Sequence, residues 1–238
     1  MGNPYFSFKQ FTVYHDLCAM KVGIDGVLLG AWADVKNANN ILDIGTGSGL
    51  IALMLAQRNP DATITAIDID ENAILQSEIN IKNSPWGNRI EVGKNSLQDF
   101  MLSSTKKYDL IVSNPPFFIN SMKAPEDTRT TARHTDTLTH EELITYSKAL
   151  ITPKGKLCII LPINEGEKCI DFAENSGLFC NKKVSVFPKP GSPAKRLLLG
   201  FSLEKREREN THITIESETR HQYTPEFTQL AKDFYLKL

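Results

Sequence analysis

The chain has 238 residues, 41% hydrophobic and 23% charged, with a formal net charge of −1, proportions that suit one large globular domain with small additions. Such a balance excludes a broadly cationic coater of nucleic acid, so any nucleic-acid contact must come from local patches. No membrane-length apolar run or signal-peptide-like apolar region appears in the sequence, position 6 is Phe6 where a myristoylation signal needs Ser or Thr, and Cys18, Cys158, Cys169 and Cys180 form no CxxC pair. These features predict a cytoplasmic chain with reduced thiols, no metal and no membrane partner.

In chain order, Phe6, Phe8, Phe11 and Val13 alternate within Tyr5 to Tyr14 and predict a strand or hairpin packed on something larger. Asp25 precedes the apolar run Val27 to Trp32 and reads as the cap of a helix. After a polar break at Asn37 to Asn40, the run Ile41-Leu42-Asp43-Ile44 reads as a strand. The loop Gly45-Thr46-Gly47-Ser48-Gly49 follows, and then a helix from Leu50 to Gln57. Glycines let a ligand approach the backbone closely, and the helix start favours anionic or carboxylate groups. The spacing is not the dinucleotide pattern G-x-G-x-x-G. Asp43 places an acid where a pyrophosphate is unwelcome but the ammonium of a methionine-like group can be met, directly or through water. A purely structural βα turn would carry the same glycines.

Thr63 to Ile67 is a β-rich run ending on Asp68, an acid about 20 residues beyond the glycine loop, where ribose hydroxyls are bonded. Asp70 reads as the cap of the helix Glu71 to Asn83. Ile90 to Val92 is a third strand, followed by Asn95-Ser96-Leu97 where the adenine of a nucleoside cofactor would lie; Ser96 serves equally as a helix cap. Asp109 to Ser113 is a buried strand that stops on Asn114-Pro115-Pro116-Phe117. The prolines forbid helix and sheet, and fix an extended, stiff backbone. The Asn114 amide and the Asn114 and Pro115 carbonyls then stand as preset acceptors beside an aromatic face. An exocyclic or side-chain amide nitrogen is a poor nucleophile because its lone pair is delocalised. Accepting both its N–H groups frees and aims that lone pair, so transfer of an activated methyl needs orientation more than a general base. Phe117 would stack a base taken from its own stack. The same residues also read as a strand ending in a Pro-Pro turn with a core Phe.

The stretch Phe118 to Thr137 holds Lys123, Arg129, Arg133 and His134 and is too long for a neutral connector; its arginines suit phosphate, or it is a solvated loop. A helix over Leu138 to Leu150 with a Thr139/Glu142 capping box, a strand over Lys156 to Leu161 and a helix over Glu165 to Asn175 follow. A strand pair, Leu178 to Val186 and Arg196 to Leu203, closes the pattern. Lys182, Lys183, Lys189, Lys195 and Arg196 make that pair locally basic, as a solvated face or a binding site. Beyond the charged stretch Glu204 to Asn210, Ile213 and Ile215 hint at a strand and Thr224-Pro225 starts a helix. The alternation predicts an α/β fold with a mostly parallel sheet and helices on both faces. Asp43, Asp68, Asn95 and Asn114 all fall at strand carboxyl ends, where such sheets bind ligands.

Together, Asp43 to Gly49, Asp68 and Asn114-Pro115-Pro116-Phe117 resemble the S-adenosylmethionine-dependent methyltransferases that modify exocyclic or amide nitrogen. The resemblance implies a Rossmann-like seven-stranded sheet with an antiparallel last strand. It implies that Asn114, Pro115, Pro116 and Phe117 are catalytic and that Lys21, Asp25, Asp43, Gly45, Thr46, Gly47, Gly49, Asp68, Ile69, Asn95, Ser96 and Leu97 surround the cofactor. The implied divisions are an extension at 1–36 closing the cofactor pocket, the methyltransferase domain at 37–204 and an extension at 205–238 packed on it. A narrower resemblance runs through Phe8-Lys9-Gln10-Phe11, Cys18 to Gly23, Asp25-Gly26, Gly30-Ala31-Trp32, the Arg129 and Arg133 stretch and Phe234-Tyr235-Leu236. It is to bacterial enzymes that methylate N6 of adenine 37 in a valine tRNA. Phe118, Arg129, Arg133, Lys189, Lys195 and Arg196 are then the tRNA contacts, and the chain a monomer. Related enzymes often carry an acid at Ser96 and a Tyr where Phe117-Phe118 stand. The alternatives are methylation of release-factor glutamine or of guanine N2 in rRNA. A release-factor enzyme is expected to carry an N-terminal helical domain, where this chain has about forty residues ahead of the sheet.

Overall fold

The computed structural model describes residues 3–115, 138–219 and 222–238. A short hairpin, β1 (Tyr5–Ser7) and β2 (Thr12–Tyr14), leads to α1 (Ile24–Trp32). Five strand-helix alternations follow: β3 (Asn40–Ile44), α2 (Leu50–Arg58), β4 (Thr63–Asp68), α3 (Glu71–Lys82), β5 (Ile90–Lys94), α4 (Leu97–Ser103), β6 (Tyr108–Ser113), α5 (His140–Leu150), β7 (Ile151–Pro162) and α6 (Ile163–Asn175). The chain closes with β8 (Phe179–Phe187), β9 (Arg196–Ser202), β10 (Glu209–Thr214) and α7 (Pro225–Ala231). Helix starts follow local chemistry. Asp70 Oδ1 accepts from the Asn72 N–H at 2.9 Å, Thr139 and Glu142 form a reciprocal capping box, and Thr224 caps α7 with Pro225 in its first turn.

The large sheet has the order β10-β8-β9-β7-β6-β3-β4-β5. Strands β3, β4, β5, β6 and β7 are parallel, and β9 runs antiparallel to both β7 and β8. Seven of these strands are the expected sheet. The eighth, β10, pairs in parallel with β8, setting Ile213 opposite Val186. In the sequence only Ile213 and Ile215, after a charged stretch, signal this strand. Side chains alternate across the sheet. Ile41, Leu110, Val112, Cys158 and Ile160 join α1, α2 and α7 in one apolar cluster. Leu42, Ile111, Leu157 and Ile159 join α5 and α6 in the other. Each fully buried Leu or Ile contributes about 1.5–3 kcal/mol.

Both ends of the chain pack on the first cluster. Phe8 bridges Tyr235, the Lys9 N–H donates to Phe234 O at 2.7 Å, and the rings of Phe6, Phe8 and Tyr235 meet at 4.8–5.9 Å. Asp25 is not the cap of α1. Gly23 holds that position without a side-chain bond, and Asp25 lies in the first turn. Strand order reverses between β3 and β6, which places a ligand crevice at their carboxyl ends.

Candidate functional site: the cavity at the strand ends

Beyond β3 the chain turns through Gly45, Gly47 and Gly49 at φ of +69°, +55° and +79°. Side chains rarely adopt that region, and at Gly49 a Cβ would also lie 3.2 Å from that of Ser77. The loop is stitched to the end of β4. Ile67 O accepts from the Gly45 and Thr46 N–H groups at 2.9 and 3.0 Å, and Asp68 Oδ2 accepts from the Gly47 N–H at 2.8 Å. Asp68 Oδ1 takes the Asp70 N–H at 3.0 Å, and its carbonyl takes the Asn95 N–H at 3.0 Å, which carries the tie on to the end of β5. Across the switch point Ser113 Oγ donates to Ile44 O at 2.9 Å, pinning the Asn114-Pro115 end of β6 against the glycine loop.

These ends enclose a cavity of ≈ 230 Å³. Of the sequence-predicted residues, Gly45, Gly47, Asp68, Ile69, Asn95, Ser96, Leu97, Asn114 and Pro115 line it. Asn114 Oδ1 is buried there with no partner among the described residues, a costly state for an acceptor that no ligand completes. Ser96 lines the cavity, and its Oγ also caps α4 by accepting from the Asp99 N–H at 3.0 Å. Cys18, Ala19 and Met20 form a wall that the sequence reading missed, as did Gln98 and Leu138. The sequence signals for that wall were the Cys18 to Gly23 resemblance and the 1–36 extension expected to close the pocket, neither of which singled out these residues as lining.

Other residues act from behind the lining or lie apart from it. Asp43 is fully buried; its Oδ2 accepts from Thr46 Oγ1 at 2.7 Å and the Ala52 N–H at 3.2 Å, and Oδ1 has no partner among the described residues. Burial pushes its carboxyl up to about 7, the two hydrogen bonds pull it down, and the nearby Asp68 charge raises it further. Asp43, Thr46 and Gly49 thus shape the loop from beneath. Lys21 is exposed and does not line the cavity. Asp25 turns instead to Arg196, whose Nε donates to its Oδ2 at 2.8 Å. The basic strand pair is partly neutralised: Lys183 bonds Glu167, Lys182 lies 3.4 Å from Glu209, and Arg196 is engaged by Asp25. Lys189 and Lys195 are exposed in the turn after β8, on the same sheet edge as the cavity. Pro116, Phe117, Phe118, Arg129 and Arg133 lie outside the described residues. Among the described residues no group of three His, Cys, Asp or Glu side chains is placed to hold a metal, and no helix is long and apolar enough to cross a membrane.

The pattern described as Methyltransferase small domain matches residues 21–174. The chain belongs to that methyltransferase family. Curated relatives from Parabacteroides distasonis, Bacteroides fragilis and Trichodesmium erythraeum are 52%, 48% and 48% identical, with 100% of each chain covered. All three carry the name tRNA1(Val) (adenine(37)-N6)-methyltransferase. Among solved structures, a "predicted O-methyltransferase" of Agrobacterium tumefaciens superposes with a TM-score of 0.71 at 19% identity, covering 88% of this chain and 96% of that one. A ribosomal protein L11 methylase of Lactobacillus delbrueckii gives 0.53 at 19% identity, covering 76% and 77%. At such identity these structures share the fold alone with this chain; the glycine loop and Asn114-Pro115 are this chain's own features.

Proposed function

We propose that this enzyme transfers a methyl group from S-adenosylmethionine to the exocyclic N6 of adenine 37 in tRNA1(Val). The observation that carries the reading is end-to-end identity of about half with relatives of that name. The cavity fits it independently: a glycine loop and the acid Asp68 share one crevice with an Asn114 amide oxygen that has no partner among the described residues. S-adenosylmethionine, when bound, supplies an electrophilic methyl group. Gly45, Gly47 and Asp68 would hold it, with Asn95, Ser96 and Leu97 toward the adenine and Asp43 fixing the loop behind. Asn114 Oδ1 and the Pro115 carbonyl accept the two N–H bonds of the target amine, which orients its lone pair without a general base. The bound cofactor would supply the methyl group to that oriented lone pair, and the proton of the alkylated, now acidic nitrogen would pass to solvent past the Asn114 and Pro115 acceptors. Phe117 would stack the extruded adenine, and Phe118, Arg129, Arg133, Lys189 and Lys195 would meet the tRNA. Within this reading 1–36 and 205–238 are additions to one catalytic domain, and the site of action is the cytoplasm.

The test is methyl transfer from labelled S-adenosylmethionine to unmodified total tRNA, beside release factor and guanine-containing rRNA, with products mapped by nucleoside analysis. N6-methyladenosine in one tRNA, abolished by Asn114→Ala, is the expected result. Label on glutamine or on guanine N2 would keep the fold and overturn the acceptor.

A further inference from the structure

On the inner face of α3, Gln76, Ser77 and Asn80 are 2%, 0% and 1% exposed. Buried amides are tolerated only where partners are found. Asn80 finds three: its Nδ2 donates to Tyr14 O and to Ser48 O, both at 2.8 Å, and its Oδ1 accepts from the Tyr14 N–H at 2.9 Å. One turn earlier, Gln76 Oε1 accepts from the Leu17 N–H at 3.0 Å. A single helix face therefore grips two segments far apart in sequence. Ser48 stands inside the glycine loop, and Leu17 runs directly into the Cys18-Ala19-Met20 wall. The strap has little apolar hold of its own, since Leu17 and Met20 are 43% and 60% exposed. His15, buried at its start, adds an Nδ1 that accepts from the Val22 N–H at 3.4 Å.

We propose that Asn80 and Gln76 are positioning residues for the cofactor. Neither lines the cavity. They lock the Tyr14 to Met20 strap and the glycine loop at a fixed separation, so that the crevice is walled before a ligand arrives. Such preorganisation lowers the ordering cost of binding and leaves the amine-holding end of the site untouched. The inference rests on the cavity being the S-adenosylmethionine site.

The experiment uses the full chain with Asn80→Ala and, should that variant fail to fold, Gln76→Met, which keeps length and removes the acceptor. Two readouts are taken: KM against kcat for S-adenosylmethionine, and alkylation of Cys18 in the free protein. Cys18 is half-buried on the strap while Cys158, Cys169 and Cys180 are buried, so its labelling reports the strap. Expected are a KM raised about tenfold or more with kcat at saturation within about threefold of wild type, and faster Cys18 labelling. Unchanged KM and labelling, or a loss confined to kcat, would overturn the positioning role. Failure of the wild type to bind S-adenosylmethionine would instead overturn the reading of the cavity, and the cofactor half of this inference with it.

Discussion

Replacing Asp43 with Asn isolates the charge beneath the glycine loop. The substitution keeps a carbonyl oxygen for Thr46 Oγ1 and the Ala52 N–H, which bond Asp43 at 2.7 and 3.2 Å, and removes only the ionisation. In the folded chain burial raises this carboxyl from the ordinary 3.8 to about 7. The folded state therefore binds the proton more tightly than the unfolded chain. The stabilisation is full below pH 3.8, declines as pH rises toward 7, and is gone above. About three pH units at roughly 1.36 kcal/mol each cap the loss near 4 kcal/mol, of which about 3 falls between pH 5 and 8. Urea unfolding of both proteins at those two pH values checks it, because other titrating groups cancel in the difference. The wild type should lose up to about 3 kcal/mol relative to Asp43→Asn on going from pH 5 to 8. A difference that stays flat to within about 0.5 kcal/mol would refute the buried-carboxylate reasoning.

Asn114→Ala should lower kcat by about 10²- to 10³-fold, the range for removing one preset polar contact to the reacting group, with S-adenosylmethionine affinity by calorimetry nearly unchanged. Gly49→Ala forces a side chain to φ +79° and against Ser77, which should cost about 1–3 kcal/mol in urea unfolding. Lys189→Ala with Lys195→Ala should weaken tRNA binding in filter assays and reduce the salt slope of log K by about one per lost phosphate contact. An unchanged slope would remove that turn from the tRNA face. Asp25→Ala removes the partly buried ion pair with Arg196, which should lower stability by about 1 kcal/mol or more, read from the same urea curves.

Local chemistry was legible because its signals sit within a few residues of each other. Strand, three glycines and helix specify the loop from Ile41 to Leu50. Asp70 and the Thr139/Glu142 pair declare their helix starts, and the prolines after Asn114 stop β6 where they stand. The alternation of these units dictates a parallel sheet, and with it the edge on which Asp68, Asn95 and Asn114 converge. Tertiary structure decided what depends on contacts between distant segments. The pull of Arg196 on Asp25 spans 171 positions and turns an apparent cap into half of an ion pair. Asn80 reaches Tyr14 across 66 positions, and it is Cys18 to Met20, not Lys21, that line the cavity. Asp43 reads in sequence like a residue that faces a ligand, yet its full burial is set by the layers packed over β3, and no periodicity in one strand encodes what its neighbours cover. Periodicity and capping are short-range and survive in the sequence as patterns; pairing of β10 on β8, ion pairs and buried amide clamps arise only when the chain has brought their partners together.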